Sequence, residues 1–188
     1  VLLTVLLVVL AGAGPAHVSA QEGVVTLTVT VQTPNGSALS GANITATWDG
    51  GSAEAETAGN GKAFVDVPEG ATVELDASHP DYVRNFPLVV ENATERDVTV
   101  EVVPRASLTV TAEDAEGALA DAQVVLRSDG RIVTNGRTDS NGRFVAGPVE
   151  AGDYNLAVVK SGYYRNASDV TVSGNARRTV TLESGAVT

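Results

Sequence analysis

The segment Thr26-Leu-Thr-Val-Thr30 returns as Ser107-Leu-Thr-Val-Thr111, and further landmarks return behind it in the same order. Ala42-Asn-Ile44 is matched by Ala122-Gln-Val124, Asp49-Gly50 by Asp129-Gly130, Asn60-Gly61 by Asn141-Gly142, and Tyr82-Val-Arg-Asn85 by Tyr163-Tyr-Arg-Asn166. The offset is 81 residues, drops to 80 once Ser37 is counted as an insertion, and returns to 81. A shared order at so constant a spacing marks a tandem duplication, with copies at residues 24–103 and 106–188 and only Pro104 and Arg105 between them. Whatever this chain folds into is therefore built twice from units of about 80 residues, a size that buries only about 60% of its unfolded surface. There is no cysteine, so no disulfide or thiolate metal site can staple such small cores, and packing must hold them. A junction this short holds the units end to end with limited freedom.

Inside each copy the hydrophobic period is two. Val25, Leu27, Val29 and Val31 alternate with Thr26, Thr28 and Thr30, the pattern of a strand with one dry and one wet face. Ala42/Ile44/Ala46/Trp48, Val73/Leu75/Ala77 and Val98/Val100/Val102 repeat it in copy one, as do Leu108/Val110, Val124/Leu126, Tyr154/Leu156/Val158 and Val180/Leu182 in copy two. Turn signals separate these runs: Pro34-Asn-Gly36, Asp49-Gly-Gly51, Asn60-Gly61 and Glu69-Gly70, then Glu116-Gly117, Asp129-Gly130, Asn141-Gly142 and Ala151-Gly152. No sustained 3.6 period follows residue 20. The expected fold is all-β: two tandem small antiparallel sandwiches of about seven strands each, transthyretin- or Ig-like.

Copy two runs LTVTAEDAEGALADAQVVL, then TDSNGRF, then VEAGDYNLAVVKSGYYRN, then a closing TVTL strand. This succession resembles the carboxypeptidase regulatory-like domain, a transthyretin-like sandwich marked by a G-x-L-x-x-A-x-V strand, a T-D-x-x-G-x-F turn, a G-x-Y-x-L strand and a following G-Y. The matching positions are Gly117/Leu119/Ala122/Val124, Thr138/Asp139/Gly142/Phe144, Gly152/Tyr154/Leu156 and Gly162/Tyr163. Copy one keeps the frame with departures, Ala58 standing where Asp139 does, Val73 where Tyr154 does and Asp81 where Gly162 does. The resemblance extends to the accessory module alone. It implies no peptidase, and the hydroxyisourate hydrolases of the transthyretin-like fold have a closing Y-R-G-S tail and histidines with no counterpart here. A literal Pro68-Glu-Gly-Ala71 falls on the turn equivalent to Val149-Glu-Ala-Gly152, late in the unit, and reads as coincidence with the surface-domain family named for that string.

The first ten residues, VLLTVLLVVL, are apolar apart from Thr4, and Val18-Ser19-Ala20 fits the small-x-small pattern before a signal-peptidase cut. Gly12, Gly14 and Pro15 interrupt the run well short of the roughly 20 apolar residues a membrane span needs. Residues 1–20 read as an export signal truncated at its start, without initiator Met or basic n-region, with Gln21 the mature start and an extracellular or cell-surface destination. All 23 acidic and 12 basic residues follow, giving a net charge of −11. Nucleic acid and anionic membrane surfaces want clustered Lys/Arg and are excluded as partners of the mature domains. Only Lys62 and Lys160 are lysines among the basic residues, and this acidic, arginine-biased composition resembles that of extreme halophiles, pointing to an exported haloarchaeal surface protein. At molar salt the Debye length is about 3 Å, so surplus carboxylates cost little self-repulsion.

Enzymatic constellations are nearly absent. His17 lies in the signal, leaving His79 in Ser-His-Pro-Asp, and without Cys or a second His no triad or zinc site assembles from the usual parts. His79 reads as a loop residue before Pro80. TDSNGRF could open a calcium loop, but with Gly142 at position six, positions five, three and one are Asn141, Asp139 and Arg137, and an arginine at position one disqualifies it. The shared Asn-Gly reads instead as a hairpin turn, both residues tolerating positive φ. Glu113-Asp114-x-Glu116 reads as a solvated loop. No metal or cofactor is expected.

Exposed aromatic faces are the usual sugar platforms on β-sandwiches, and Trp48 or Tyr164 are the candidates, although Trp48 continues an inward set. Sequons stand at Asn35, Asn43, Asn92 and Asn166, of which Asn35 and Asn92 are in turn-like contexts and Asn43 is on a strand. The expected function is a non-catalytic structural or adhesive module of a secreted or cell-surface protein, partnered by other domains of a longer chain or by envelope components. The alternative is a carbohydrate-binding accessory module of a larger secreted hydrolase or peptidase, with polysaccharide as partner.

Overall fold

The computed structural model describes residues 23–185; the expected signal at 1–20 lies outside them. Copy one contributes β1 (Val24–Gln32), β2 (Asn43–Trp48), β3 (Gly51–Glu56), β4 (Lys62–Pro68), β5 (Val73–Ser78), β6 (Tyr82–Val83), β7 (Leu88–Val90) and β8 (Arg96–Glu101). Copy two contributes β9 (Val103–Glu113), β10 (Gln123–Ser128), β11 (Arg131–Arg137), β12 (Arg143–Glu150), β13 (Gly152–Val159), β14 (Asn166–Val172) and β15 (Asn175–Thr181). The described residues contain strands and no helix, as the period of two required.

Each copy splits its strands between two sheets. Copy one has orders β4-β1-β8 and β3-β2-β5-β7, and copy two repeats them as β12-β9-β15 and β11-β10-β13-β14. Pairing is antiparallel except for β1 with β8 and β9 with β15, which run parallel. Alternation alone could not show this, because both pairings leave a period of two. The dry faces meet as two separate cores, one of residues such as Leu27, Ile44, Leu75 and Val100, the other of Leu108, Leu126, Leu156 and Val180. Fully burying a Leu or Ile contributes about 1.5–3 kcal/mol, but most core positions here are Val and Ala. These are small cores, so contacts between the copies matter.

Thr138–Phe144 is a tight turn: the Gly142 N–H donates to the Asp139 carbonyl at 2.9 Å and the Asp139 N–H to the Arg143 carbonyl at 2.8 Å. The expected hairpin is corrected in two respects. The strands it joins are not partners, since β11 lies in one sheet and β12 in the other, and of Asn141 and Gly142 only the glycine has positive φ, +70°. The cause is Thr138, which is buried. Its hydroxyl accepts the Ala122 N–H at 2.9 Å and donates to the Leu119 carbonyl at 2.6 Å, tying the turn to the loop that leads into β10. Thr57 does the same in copy one with Ala42 and Leu39. Gly142 is required there, because a Cβ would stand 2.4 Å from the Ala112 carbonyl oxygen.

Candidate functional site

The copies differ most where the chain leaves the second sheet. In copy two, β14 pairs with β13 from Val158↔Asn166 to Gly152↔Val172. In copy one, β7 pairs with β5 only from Leu75↔Leu88 to Val73↔Val90. Pro87 has no N–H to offer a ladder, and Arg84–Pro87 stand off the sheet edge, half-buried.

What buries them is copy two. The Asn85 N–H donates to Glu150 Oε1 at 2.8 Å while Asn85 Oδ1 accepts the Glu150 N–H at 2.9 Å. Asn85 Nδ2 donates to the Tyr154 hydroxyl at 2.8 Å, and that hydroxyl donates to the Glu150 carbonyl at 2.7 Å. The Phe86 ring sits under the Arg131 guanidinium, 3.7 Å from its centroid. Arg84 braces the loop from behind, Nε to the Phe86 carbonyl at 2.8 Å and Nη1 to the Glu101 carbonyl at 2.9 Å. The connection itself is strand: Tyr82 and Val83 pair with Pro104 and Val103, and the Arg105 N–H donates to the Asp81 carbonyl at 2.8 Å. Pro104 and Arg105 thus lie inside β9.

Each such hydrogen bond contributes about 0.5–1.5 kcal/mol net, and more where the Glu150 carboxylate is the acceptor. A partly exposed cation–π contact adds about 0.5–1 kcal/mol. Tyr154 serves two structures at once, its ring in the core of copy two and its hydroxyl in the joint. Burial pushes its phenol above the usual range, the Asn85 bond opposes this, and the Glu150 charge adds to it.

Beside the joint opens a cleft of about 610 Å³ lined from both copies, with Pro80 and Asp81 on one side and Arg105, Ser107, Pro148 and Asn175 among the residues on the other. Among the described residues no group of three His, Cys, Asp or Glu side chains is gathered to hold a metal.

The expected sugar contacts are not brought together. Trp48 is half-buried against the core of copy one, its indole lying where a Cβ on Gly51 would be only 3.0 Å away. Tyr164 is 62% exposed on copy two, its N–H donating to the Glu183 carbonyl at 2.9 Å. Of the sequons, Asn35, Asn43 and Asn92 are exposed and Asn166 is half-buried at the start of β14. Asn35 Oδ1 accepts the Ser37 N–H at 3.2 Å and the Thr33 hydroxyl. His79 is a half-buried loop residue whose Nδ1 accepts the Asp81 N–H at 3.1 Å, its ring tilted against Tyr82. Asp114 of the acidic loop accepts the Tyr163 hydroxyl at 2.6 Å and the N–H groups of Glu116 and Gly117. The joint residues Asn85, Phe86, Arg131 and Glu150 were missed by the sequence reading. Their one signal was Pro87, which interrupts a stretch that copy two runs as a strand.

Fold and joint together define a tandem β-sandwich protein whose two units are docked. Residues 105–184, which cover the second sandwich, match the family model of the carboxypeptidase regulatory-like domain. Similar solved structures include the Bacillus anthracis TIE protein, 17% identical over 86% of this chain and 34% of that one, with a TM-score of 0.41. A Streptococcal ancillary pilin is 14% identical over 89% of this chain and 64% of that one, with a TM-score of 0.43. The shaft pilin SpaA from Lactobacillus rhamnosus GG is 14% identical over 88% of this chain and 98% of that one, with a TM-score of 0.42. The chain spans about a third of the TIE protein. No curated protein matches it.

Proposed function

We propose that this chain is a non-catalytic structural module of an exported, cell-surface protein, in which two sandwiches in fixed orientation space or present a neighbouring domain or an envelope component. The observation that carries the reading is the joint: a loop of copy one that gives up sheet pairing and spends its backbone and side chain on Glu150 and Tyr154 of copy two. A module that only needed tethering would not require it. Export rests on the apolar run of residues 1–10 and the small-x-small site at Val18-Ser19-Ala20, and the acidic surface supports solubility at high salt.

The test is the relative orientation of the two copies, measured by residual dipolar couplings and small-angle scattering on the full chain. One alignment tensor for both copies is expected in the native chain, and two different ones in Asn85→Ala. Independent tensors in the native chain would remove the rigid-spacer reading.

A further inference from the structure

We propose that the cleft beside the joint is a binding site for a neutral polyhydroxylated ligand, a saccharide segment of a surface polysaccharide. Its volume, about 610 Å³, falls within the roughly 300–1,000 Å³ of ligand sites. Its polar groups are largely uncommitted. Among the described residues the Arg105 guanidinium reaches only the Pro80 carbonyl, at 3.4 Å, which leaves most of its five donors open to a ligand. Asn175 Oδ1 accepts the Ser107 hydroxyl at 2.9 Å, and its amide N–H groups have no partner among the described residues. Asp81 lines the same cleft, and its carboxylate accepts no hydrogen bond among the described residues.

The charges select the ligand class. One cation and one anion face the cleft, so an anionic ligand meets Asp81 within a chain of net charge −11, and a cationic one meets Arg105. Vicinal hydroxyls suit both, accepting from guanidinium and amide and donating to carboxylate. Pro80, Pro148 and the 57% exposed Val145 supply apolar ledges for sugar C–H faces. An extended peptide is disfavoured, because the open edge of β12 shifts register between Ala146 and Val149 and carries Pro148, which cannot donate to an added strand. Gly147 keeps the wall open, since a Cβ there would stand 3.0 Å from the Ser107 Cβ.

The experiment titrates the ¹⁵N-labelled full chain with neutral hexaoses of glucose, mannose, galactose and xylose. Expected are saturable amide shifts at Asp81, Ser107, Gly147 and Asn175 with at least one sugar. Arg105→Ala and Asp81→Ala each weaken that binding at least about tenfold while leaving the remaining spectrum folded, and Trp48→Ala and Tyr164→Ala leave it unchanged. The proposal is overturned by no shifts from any of the four sugars, by shifts centred on Trp48 or Tyr164, by undiminished binding in both cleft variants, or by preference for an acidic oligosaccharide or a peptide. The rigid-spacer reading survives all of these outcomes, because it is decided by the alignment tensors.

Discussion

The most consequential single residues are the pair Thr57 and Thr138, because a buried hydroxyl in each copy holds a backbone donor and a backbone acceptor that water cannot reach. Thr138→Val leaves the Ala122 N–H and the Leu119 carbonyl unpaired at unchanged volume, which costs about 1–3 kcal/mol. The expected outcome is a lower denaturation midpoint with an unchanged m value, largely restored in Thr138→Ser. In the TDSNGRF turn Asp139 Oδ1 accepts the N–H groups of Asn141 and Arg143. In copy one, Asn60 caps the Lys62 N–H instead. The Arg143 and Asn141 bonds hold the Asp139 carboxyl below its ordinary range, and the Tyr163 hydroxyl does the same for Asp114. A depressed carboxylate contributes stability above the ordinary carboxylate range and loses it as pH falls through its folded value. Thermal scans from pH 7 down to pH 2 should therefore show a fall in Tm below about pH 4, shallower in Asp139→Asn, which keeps the acceptor and loses the titration. Tyr163 is raised by the same bond, so its contribution is lost as pH rises beyond the ordinary phenol range. The sequence showed that an Asx residue belonged at the turn, but not which backbone groups it would accept.

Between elements, the copies solve one packing problem in two ways. Phe144 on β12 lays its ring over Gly136 on β11, so close that a Cβ on Gly136 would collide with the ring. The equivalent positions in copy one are Ala63 and Ala55, both packed in or against its core. A large residue facing none has become two small ones. Gly136→Ala alone should destabilise copy two by about 1–3 kcal/mol through overpacking, and Phe144→Ala alone by about 3–5 kcal/mol through lost burial. The double substitution should cost less than the sum, a coupling readable from a denaturation double-mutant cycle; strict additivity would remove the pairing. The partner of a β11 residue lies on the other sheet, and periodicity along one strand carries no information about that crossing.

For the whole molecule, the contacts of the joint predict that the two small cores unfold as one cooperative unit. Calorimetry of the native chain should show a single transition, and Asn85→Ala, by releasing Glu150 and Tyr154, should separate it into two. Salt acts at the same scale. With a net charge of −11, stability should rise from 0.1 M to molar salt as repulsion is screened, followed by circular dichroism at constant temperature; full folding at 0.1 M with no further gain would count against a halophilic origin.

Duplication, the period of two and the turn residues made the all-β fold and the regulatory-like frame of copy two legible from sequence alone, because each is a local property repeated along the chain. The landmark residues Leu108, Val110, Leu126, Leu156 and Val180 all lie in the core as that pattern demands. What only the tertiary structure decided were the parallel closures of β1 on β8 and β9 on β15, the crossing of the Thr138 turn between sheets, and the grip of Asn85 on Glu150 and Tyr154. Each brings together residues far apart in the chain, and such contacts depend on which faces and edges remain to be satisfied once the local pattern has folded.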